Sequence, residues 1–278
     1  MSNVRFRYRT DDLYVHYVYS EHPCEERFPI HTHDMVEIYY FISGVCKYLV
    51  EGNEWLLKPG DIMLMRPSET HKLCVIDDAP YERITLNLSL RYLSELDPSG
   101  LLGRPFFDRK LGRMNQYRRE HFGSDLYSTC LSALDEPSPI GVELELRSRI
   151  LLLLCEIDKA YDARIALGEE EETQHNRTAA RMISYINRNL AEPLSLDVLS
   201  RHFFLSKSQL SRLFRQATGT TVWEYITTKR LLAARARIRA GENAGTVAAA
   251  VGFREYSTFY RMYKARFGVS PKVDAEDK

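Results

Sequence analysis

Hydrophobic and polar positions alternate in two different ways along the chain. In the first 95 residues, short β-branched and aromatic stretches alternate with turn signals such as Ser43-Gly44 and Lys58-Pro59-Gly60-Asp61. The predicted strands are Tyr14–Tyr19, Val36–Ile42, Val45–Val50, Ile62–Met65 and Ile84–Leu88. Many short antiparallel strands at this spacing are typical of a sandwich or a barrel.

Beyond about residue 107 the spacing of apolar residues becomes helical. In residues 142–161, apolar side chains recur at steps of three and four, which predicts an amphipathic helix. These side chains are Leu146, Ile150, Leu153, Leu154, Ile157 and Tyr161. Their stripe either packs against the strands or forms the seam of a homodimer. Residues 176–272 are predicted to be helical throughout.

Charge divides the chain at a similar place. The 278 residues hold 38 Lys+Arg and 38 Asp+Glu, but residues 1–175 carry a net charge of −10 and residues 176–278 carry +10. The run Glu169–Glu172 indicates a solvated linker. We therefore predict an acidic domain over 1–165, a linker over 166–176 and a basic domain over 177–278. A basic domain of this kind is expected to bind a polyanion.

Composition argues against several classes of protein. The longest apolar run, Ile150–Cys155, is far shorter than the roughly 20 residues of a membrane-spanning helix. The first residues have no apolar segment of the kind found in signal peptides, so we expect no membrane partner and a cytoplasmic location. The five cysteines include no C-x-x-C pair, which favours reduced thiols over a disulfide framework or a zinc ribbon.

A helix-turn-helix is predicted over residues 195–219. Ser195 and Ser206 are expected to cap its two helices, Gln209 completes a capping box, and Gly219 ends the second helix. The exposed face of that second helix combines cations with small hydroxyls, the groups that bond phosphates and base edges. Its members are Lys207, Ser208, Ser211, Arg212 and Arg215.

The same pattern recurs 49 residues later. Val247–Val251 is predicted as a short helix, Gly252-Phe253 as the turn, and a second basic helix follows. Trp223–Arg239 would form a helix about 26 Å long between the two units, so both basic helices could reach successive major grooves about 34 Å apart. The alternative is a helical bundle whose basic face is merely solvated.

These residues carry a family resemblance. The stretches Ser206-x3-Leu210-x-Arg212-x-Phe214-Arg215, Val247-Ala248-x2-Val251-Gly252-Phe253 and Phe267-Gly268-x-Ser270-Pro271 resemble the signature of the arabinose-regulator (AraC/XylS) family, over about 90 residues. The resemblance implies base contacts from Ser208, Ser211, Arg212, Tyr256, Ser257, Thr258 and Arg261. It implies phosphate contacts from Lys207, Arg215 and Lys264.

Two features depart from the family pattern within the helices. Ala244 and Gly245 stand where the family has stronger helix formers, at a cost of up to about 1 kcal/mol at the glycine. Ser200 replaces the usual alanine. The aromatic-Arg ending that the family has after Pro271 is also absent, and we relate these departures to the stability of the second helix-turn-helix unit.

The acidic half contains a second resemblance. His31-x-His33-x3-Glu37-x6-Gly44 and Pro59-Gly60-Asp61-x5-Pro67-x3-His71 resemble the two motifs of the cupin barrel. On a strand, His31 and His33 would point to one face, and three imidazoles with one carboxylate form a donor set for Fe(II), Mn(II), Ni(II) or Zn(II). The alternatives are that these side chains contact a small-molecule ligand without metal, or that they are structural.

Other side chains could contribute to a ligand pocket. Tyr39, Tyr48, Trp55 and Arg27 are candidates for stacking or charge. Arg5-x-Arg7-x-Arg9 alternates so that all three arginines are expected to face one way. They would form either an arm that contacts an anionic ligand or the other domain, or a solvated strand edge.

We expect a two-domain α+β protein, with an N-terminal cupin-like antiparallel β-barrel flanked by helices and a C-terminal all-α double helix-turn-helix. The resemblance implies a sequence-specific transcription regulator, not an enzyme, whose DNA binding or activation responds to a small-molecule effector such as a sugar. Its partners would be duplex DNA, the effector, a second copy of the chain and, for an activator, RNA polymerase. The rival hypotheses are a metal-dependent cupin isomerase or dioxygenase with an accessory DNA-binding tail, and a helical adaptor.

Overall fold

The computed structural model describes residues 2–24, 28, 30–134, 141–168 and 177–276. The chain divides into two compact units, residues 1–174 and 175–278. Most of the predicted linker, including Glu169–Glu172, lies outside the described residues. Among the helices of the described part, none is long and apolar enough to cross a membrane.

Antiparallel strands form the sheets of the first unit. They are β1 (Ser2–Arg9), β2 (Leu13–Ser20), β3 (Val36–Ser43), β4 (Cys46–Val50), β5 (Asn53–Leu56), β6 (Ile62–Met65), β7 (His71–Val75), β8 (Tyr81–Leu88) and β9 (Gln116–Tyr117). The five predicted strands correspond to β2, β3, β4, β6 and β8. The apolar pattern does not predict β5, because Asn53 and Glu54 take up half of this four-residue strand.

The strands form two sheets that are not closed into a barrel. The larger sheet has the order β1-β2-β8-β3-β6-β9 and the smaller has the order β5-β4-β7. The chain leaves the larger sheet after Ser43 and enters the smaller one at Cys46, through Gly44 with a φ of 118°. The predicted antiparallel β-fold with flanking helices is confirmed, with the difference that the two packed sheets are not closed into a barrel, since each described strand pairs only within its own sheet.

Strand alternation gives the larger sheet two apolar faces. On β3, Ile38 and Tyr40 belong to a core shared with the helices, whereas Tyr39 and Phe41 belong to a second core shared with the smaller sheet. Successive side chains of a strand point to opposite faces, so one strand serves both cores. This arrangement places the larger sheet between the helices and the smaller sheet.

Three α-helices accompany the sheets in the part of the first unit that the structure describes. They are α1 (Leu90–Leu96), α2 (Arg104–Phe107) and α3 (Val142–Ala166). The predicted stripe of α3 is buried against the larger sheet, which confirms its packing role. The expectation that residues 107–141 are also helical holds, in the described part of this region, only for the short helical turns Arg119–His121, Tyr127–Leu131 and Ser132–Leu134. Gly112 and Met114 adopt left-handed backbone conformations that an α-helix does not contain.

The second unit is helical, as predicted. Its helices are α4 (Arg177–Arg188), α5 (Leu196–Phe203), α6 (Lys207–Thr218), α7 (Val222–Arg239), α8 (Ala244–Ala250), α9 (Tyr256–Phe267) and α10 (Pro271–Glu276). The first part of α7 packs in a core with α4, α5 and α6. The second part packs with α8 and α9 in another core. Two helix-turn-helix units therefore share one long helix.

Local capping explains where these helices begin and end. Ser206 and Gln209 form the predicted capping box, and Gly219 closes α6 in a left-handed conformation. Helix α8 begins at Ala244, three residues before the predicted start, because the Asn243 side chain accepts hydrogen bonds from the Gly245 and Thr246 backbones.

The serine that departs from the family pattern has a structural role. The Ser200 hydroxyl donates a hydrogen bond of 2.5 Å to the carbonyl oxygen of Leu205, at the end of the turn between α5 and α6. Phe204, in that turn, has a φ of 54° and ends α5 in a left-handed conformation. The Ser200 side chain thus stabilises the turn, whose first residue, Phe204, has a strained backbone conformation.

Candidate ligand pocket and DNA-binding surface

A pocket of about 570 Å³ lies between the two sheets. Strands β3 and β8 are paired with each other and contribute alternate residues to its wall. These residues are Glu37 and Tyr39 on β3, and Arg83, Thr85 and Asn87 on β8. The wall therefore combines charged, amide, hydroxyl and aromatic groups, which is the composition of a site for a small polar molecule.

The four cupin-motif residues meet in this pocket. His31 and His71 pair their backbones in an isolated β-bridge, and their Nε2 atoms lie 3.1 Å apart. His33 Nε2 lies 2.8 Å from Glu37 Oε2, and one donor atom from each of the four residues lies within 4.8 Å of the others. The expectation that His31 and His33 share a strand is wrong, because the chain bends between His31 and the start of β3. Loop geometry brings them together instead.

Glu37 is the charged centre of this histidine cluster. Its carboxylate accepts hydrogen bonds from the Tyr48 hydroxyl at 3.2 Å and the Asn87 amide at 2.9 Å, in addition to the contact with His33. Burial acts to raise the pKa of Glu37, but the His33 hydrogen bond and the nearby imidazoles outweigh burial and hold this pKa far below its usual value. Glu37 is therefore ionised at neutral pH.

The rings of His33 and His71 are oriented by backbone carbonyl groups. His71 Nδ1 lies 2.8 Å from the Glu69 oxygen, and His33 Nδ1 lies 2.9 Å from the Met35 oxygen. Burial lowers the pKa of His71 to about 3, so this imidazole is neutral. Because a carbonyl oxygen only accepts, Nδ1 of His71 carries the proton and Nε2 keeps its lone pair. This orientation is the one that metal-binding imidazoles use.

Only some of the other residues predicted to contribute to the pocket are found in its wall. Tyr39 and Tyr48 line the pocket, and their rings meet edge to face at 4.9 Å. Trp55 belongs to the core between the sheets and is not among the residues that line the pocket. Arg27 lies outside the described residues.

The three N-terminal arginines do not all face one way. The register of β1 against β2 shifts between Val4 and Phe6, which leaves Arg5 in a β-bulge. Arg5 consequently turns to the helix side of the sheet, where it contacts Tyr17 at 2.9 Å and Glu82 at 2.6 Å. Arg9 lines the pocket on the opposite face.

Sequence reasoning missed several polar groups of the pocket. Arg83, Thr85 and Asn87 alternate on β8 with apolar residues that enter the helix-side core. Such alternation marks a strand with one polar face, and this pattern could have identified the three residues. It does not by itself indicate whether that face lines a pocket or meets solvent.

The second unit presents the ten predicted DNA contacts on α6 and α9. Phe214 on α6 and Tyr263 on α9 are fully buried in their cores, so the opposite faces of both helices are open. Ser211 and Thr258 are half-buried. The remaining contacts are exposed, namely Lys207, Ser208, Arg212, Arg215, Tyr256, Ser257, Arg261 and Lys264.

One of these cations has an intramolecular partner. Lys207 Nζ lies 2.6 Å from Asp197 Oδ1, and both side chains are more than half exposed. An exposed pair of this kind contributes about 0–1 kcal/mol, so it does little to prevent Lys207 from approaching a phosphate.

Two family models cover most of the described chain. One, described as an AraC-like ligand binding domain, matches residues 13–154, and another, described as a helix-turn-helix domain, matches residues 199–276. The chain belongs to the AraC family. This AraC-family protein is accordingly a DNA-binding transcription regulator with an N-terminal ligand-binding domain.

Individual AraC-family relatives resemble the chain over most of its length. The HTH-type transcriptional activator RhaS of Mannheimia succiniciproducens is 24% identical over 251 residues, which cover 89% of each chain. The HTH-type transcriptional activator RhaR of Cronobacter sakazakii is 24% identical over 261 residues, which cover 88% of this chain and 86% of RhaR. The structure of ToxT from Vibrio cholerae is similar with 14% identity and a TM-score of 0.41, over 96% of this chain and 98% of ToxT.

Proposed function

We propose that this AraC-family regulator binds an effector in the pocket between its two sheets and reads duplex DNA with α6 and α9. In this proposal residues 1–165 form the sensing and dimerisation domain, 166–176 the linker and 177–278 the DNA-binding domain. The observation that carries it is the repeated helix with one face buried in a core and the other face exposed and basic. A structural helix would need only the first of these faces.

The ten exposed or half-buried contacts divide by chemistry. Arg212 and Arg261 have planar guanidinium groups that suit the major-groove edge of guanine. Ser208, Ser211, Tyr256, Ser257 and Thr258 offer hydroxyls to bases. Lys207, Arg215 and Lys264 supply the phosphate contacts that give affinity without sequence preference.

Effector binding would act on DNA binding by a shift of populations. A small molecule that binds the pocket more tightly in one arrangement of the protein favours that arrangement by its difference in affinity. RhaS and RhaR are named transcriptional activators, which supports activation, with RNA polymerase as a further partner. The hydroxyl and amide groups of the pocket suit an effector with several oxygens, such as a sugar or a related metabolite.

We propose that the active form is a cytoplasmic homodimer without catalytic activity. Leu144, Leu151 and Leu152 expose apolar side chains on α3, outside the stripe that packs against the larger sheet. An apolar helix face of this kind can pair across a two-fold axis. Glu37, the pocket carboxylate in the histidine cluster, is engaged by three neighbouring side chains, which leaves it poorly suited to proton transfer.

A divalent metal is a second candidate for the pocket. His31, His33, Glu37 and His71 would hold it, and their nitrogen and oxygen donors fit Fe(II), Mn(II), Ni(II) or Zn(II). When bound, such an ion would attract oxygen atoms of the effector. Metal analysis of protein purified without a histidine tag supports this candidate if one ion per chain is present and is lost in His71→Ala, and contradicts it if neither variant contains metal.

Selection of duplexes from a random pool tests the proposed DNA binding. The protein is expected to enrich one sequence with two contact regions about one helical turn apart. The variant Arg212→Ala should lose preference at one region and Arg261→Ala at the other. Recovery of unselected sequences by the wild-type protein would contradict the proposal.

A further inference from the structure

Arg83 is an unusual group in the effector pocket. Its guanidinium lies at the pocket wall, donates a hydrogen bond to the Thr85 hydroxyl, and has its central carbon 6.0 Å from the centre of the Tyr39 ring. Within the described part of the chain, no carboxylate lies within ion-pair distance of Arg83. A guanidinium has five N–H donors, and the bond to Thr85 uses one of them, so donors remain for a ligand in the pocket that Arg83 lines.

Three other arginines of the first unit are paired with carboxylates. Arg109 lies 2.7 Å from a Glu69 oxygen, Arg104 lies 2.7 Å from an Asp158 oxygen, and Arg5 lies 2.6 Å from a Glu82 oxygen. Removal of a cation from water is costly unless an anion compensates it. Arg83 is half-buried yet lacks the partner that these other arginines have.

Other basic side chains line the pocket together with Arg83. His16 lines the same wall, and Arg7 Nη2 lies 3.4 Å from its Nε2 atom. Burial, followed by the charges of Arg83 and Arg7, lowers the pKa of His16 to about 4. Two carboxylates line the pocket among the described residues, namely Glu37, which is engaged with His33 in the histidine cluster, and Asp11. A pKa of about 4 leaves His16 neutral at pH 7, so the positive charge of the pocket wall comes from Arg83 and Arg9, and it favours a negatively charged group.

The opposite end of the β8 wall has the chemistry for hydroxyl groups. Asn87 shares the face of Arg83, four residues or about 13 Å along the strand. It donates to Glu37, which also accepts from Tyr48, so donors and acceptors lie side by side at this end. A hydroxyl group both donates and accepts, and a molecule the size of a six-carbon sugar acid fits within 570 Å³.

We propose that the effector is a small hydroxylated carboxylate, whose carboxylate pairs with Arg83 and Thr85 and whose hydroxyl groups face Glu37 and Asn87. This inference rests on the proposed effector pocket and adds the chemical class of its ligand. A guanidinium and a carboxylate form charge-assisted hydrogen bonds, about twice as strong as neutral ones, so a neutral analogue is expected to bind at least about tenfold more weakly.

Matched pairs of ligands test the carboxylate by calorimetry and thermal shift with the full chain. The pairs are D-galacturonate with D-galactose, D-glucuronate with D-glucose, and D-gluconate with D-sorbitol, and D-glucose 6-phosphate supplies a phosphate in place of the carboxylate. The variants are Arg83→Gln, Arg83→Lys and, as a control, Arg118→Gln, which removes an exposed arginine outside the pocket. Circular dichroism establishes that each variant is folded.

The expected result is that the carboxylate member of at least one pair binds at least about tenfold more tightly than its neutral partner. Arg83→Gln should reduce that preference to less than twofold, Arg83→Lys should retain part of it, and Arg118→Gln should leave it unchanged. Equal binding within every pair, a preference for the phosphate alone, or a preference that survives Arg83→Gln overturns the proposal. Neutral sugars that bind and alter DNA affinity would overturn the carboxylate while the proposed regulator function stands.

Discussion

Arg230 Nη1 donates a hydrogen bond of 2.9 Å to the carbonyl oxygen of Gly252, in the turn of the second helix-turn-helix unit. The same guanidinium donates to the carbonyl oxygens of Leu190 at 2.8 Å and Glu192 at 2.7 Å, in the segment that precedes α5. Arg230, on the shared helix α7, therefore forms hydrogen bonds with both helix-turn-helix units. This contact fixes the turn of one recognition motif to the entry of the other.

Loss of this side chain should destabilise the DNA-binding unit. Arg230→Ala leaves three carbonyl oxygens without their charged donor, and we expect a loss of about 2–3 kcal/mol in the free energy of unfolding. Urea unfolding of the full chain, followed by circular dichroism at 222 nm, measures this loss. Arg181→Ala, which removes an exposed arginine of α4, serves as a control, and equal midpoints for both variants would contradict the role of Arg230.

Gly252 is expected to tolerate no side chain. Its φ is 97°, and an added Cβ would lie 2.7 Å from Arg230 Cζ and 2.8 Å from the Leu190 oxygen. Gly268 has a similar φ of 76° with nothing within 4 Å of an added Cβ, so Gly268→Ala measures the backbone cost alone, about 1–2 kcal/mol. Gly252→Ala should lower the melting temperature further than Gly268→Ala does. An equal effect of both substitutions would show that Arg230 moves away from the added Cβ without a loss of stability.

A buried carboxylate links the stability of the second unit to pH. Asp274 accepts hydrogen bonds from Arg235 Nε at 2.7 Å, Arg239 Nε at 3.0 Å and the Tyr263 hydroxyl at 2.6 Å. Burial raises the pKa of Asp274, but the two arginines and the tyrosine outweigh it, so the pKa is below its ordinary value of 3.8. A lowered pKa in the folded state means that this stabilisation is present above pH 3.8 and is lost as the pH falls below it.

The variant Asp274→Asn isolates this contribution. Between pH 7 and 4.5 it should be less stable than the wild type by a constant amount, and the difference should narrow as the pH falls towards 3. Urea midpoints at each pH supply the comparison, in which the titration of other carboxylates cancels. A difference that does not depend on pH would contradict the assignment.

The first unit contains a buried ion pair that we expect to stabilise the fold. Arg109 and Glu69 have fully buried side chains 2.7 Å apart, and Glu69 also accepts from the Gly112 and Arg66 backbones. Glu69→Gln keeps the shape but leaves the Arg109 charge uncompensated, which costs about 3–5 kcal/mol. Thermal unfolding should show this loss, whereas Glu120→Gln, which breaks an exposed pair with Arg118, should change stability by less than about 1 kcal/mol. Similar melting temperatures for the two variants would be inconsistent with a structural role for Glu69.

The sequence predicts the parts of this fold that local interactions determine. The capping of α6 by Ser206 and Gln209, and its end at Gly219, follow from residues within one turn of each other. The bulge at Arg5 and the open sheets depend on strand pairing between distant residues, which no local pattern specifies. The four cupin-motif residues meet although His33 lies outside the strands. Their positions depend on the geometry of a loop, which the periodicity of apolar residues does not predict.

The surroundings of Arg83 in the pocket likewise depend on contacts between distant residues, which a local sequence pattern does not specify. The alternation along β8 indicates that Arg83, Thr85 and Asn87 share a face. Which face lines a cavity depends on how the smaller sheet packs, and a shift of one residue in register would turn all three away. The sequence therefore predicts that the first unit has a ligand pocket, but the residues of the charged pocket wall could be identified only from the folded structure.

DNA affinity of the recognition-helix variants tests the central claim most directly. Fluorescence anisotropy on a selected duplex would compare the wild type with Arg212→Ala, Arg261→Ala and the control Arg118→Ala. Each of the first two should lose about 1–3 kcal/mol of specific binding, and Arg118→Ala should bind as the wild type does. Unchanged affinity of both Arg212→Ala and Arg261→Ala would contradict the assignment of α6 and α9 as the helices that read DNA.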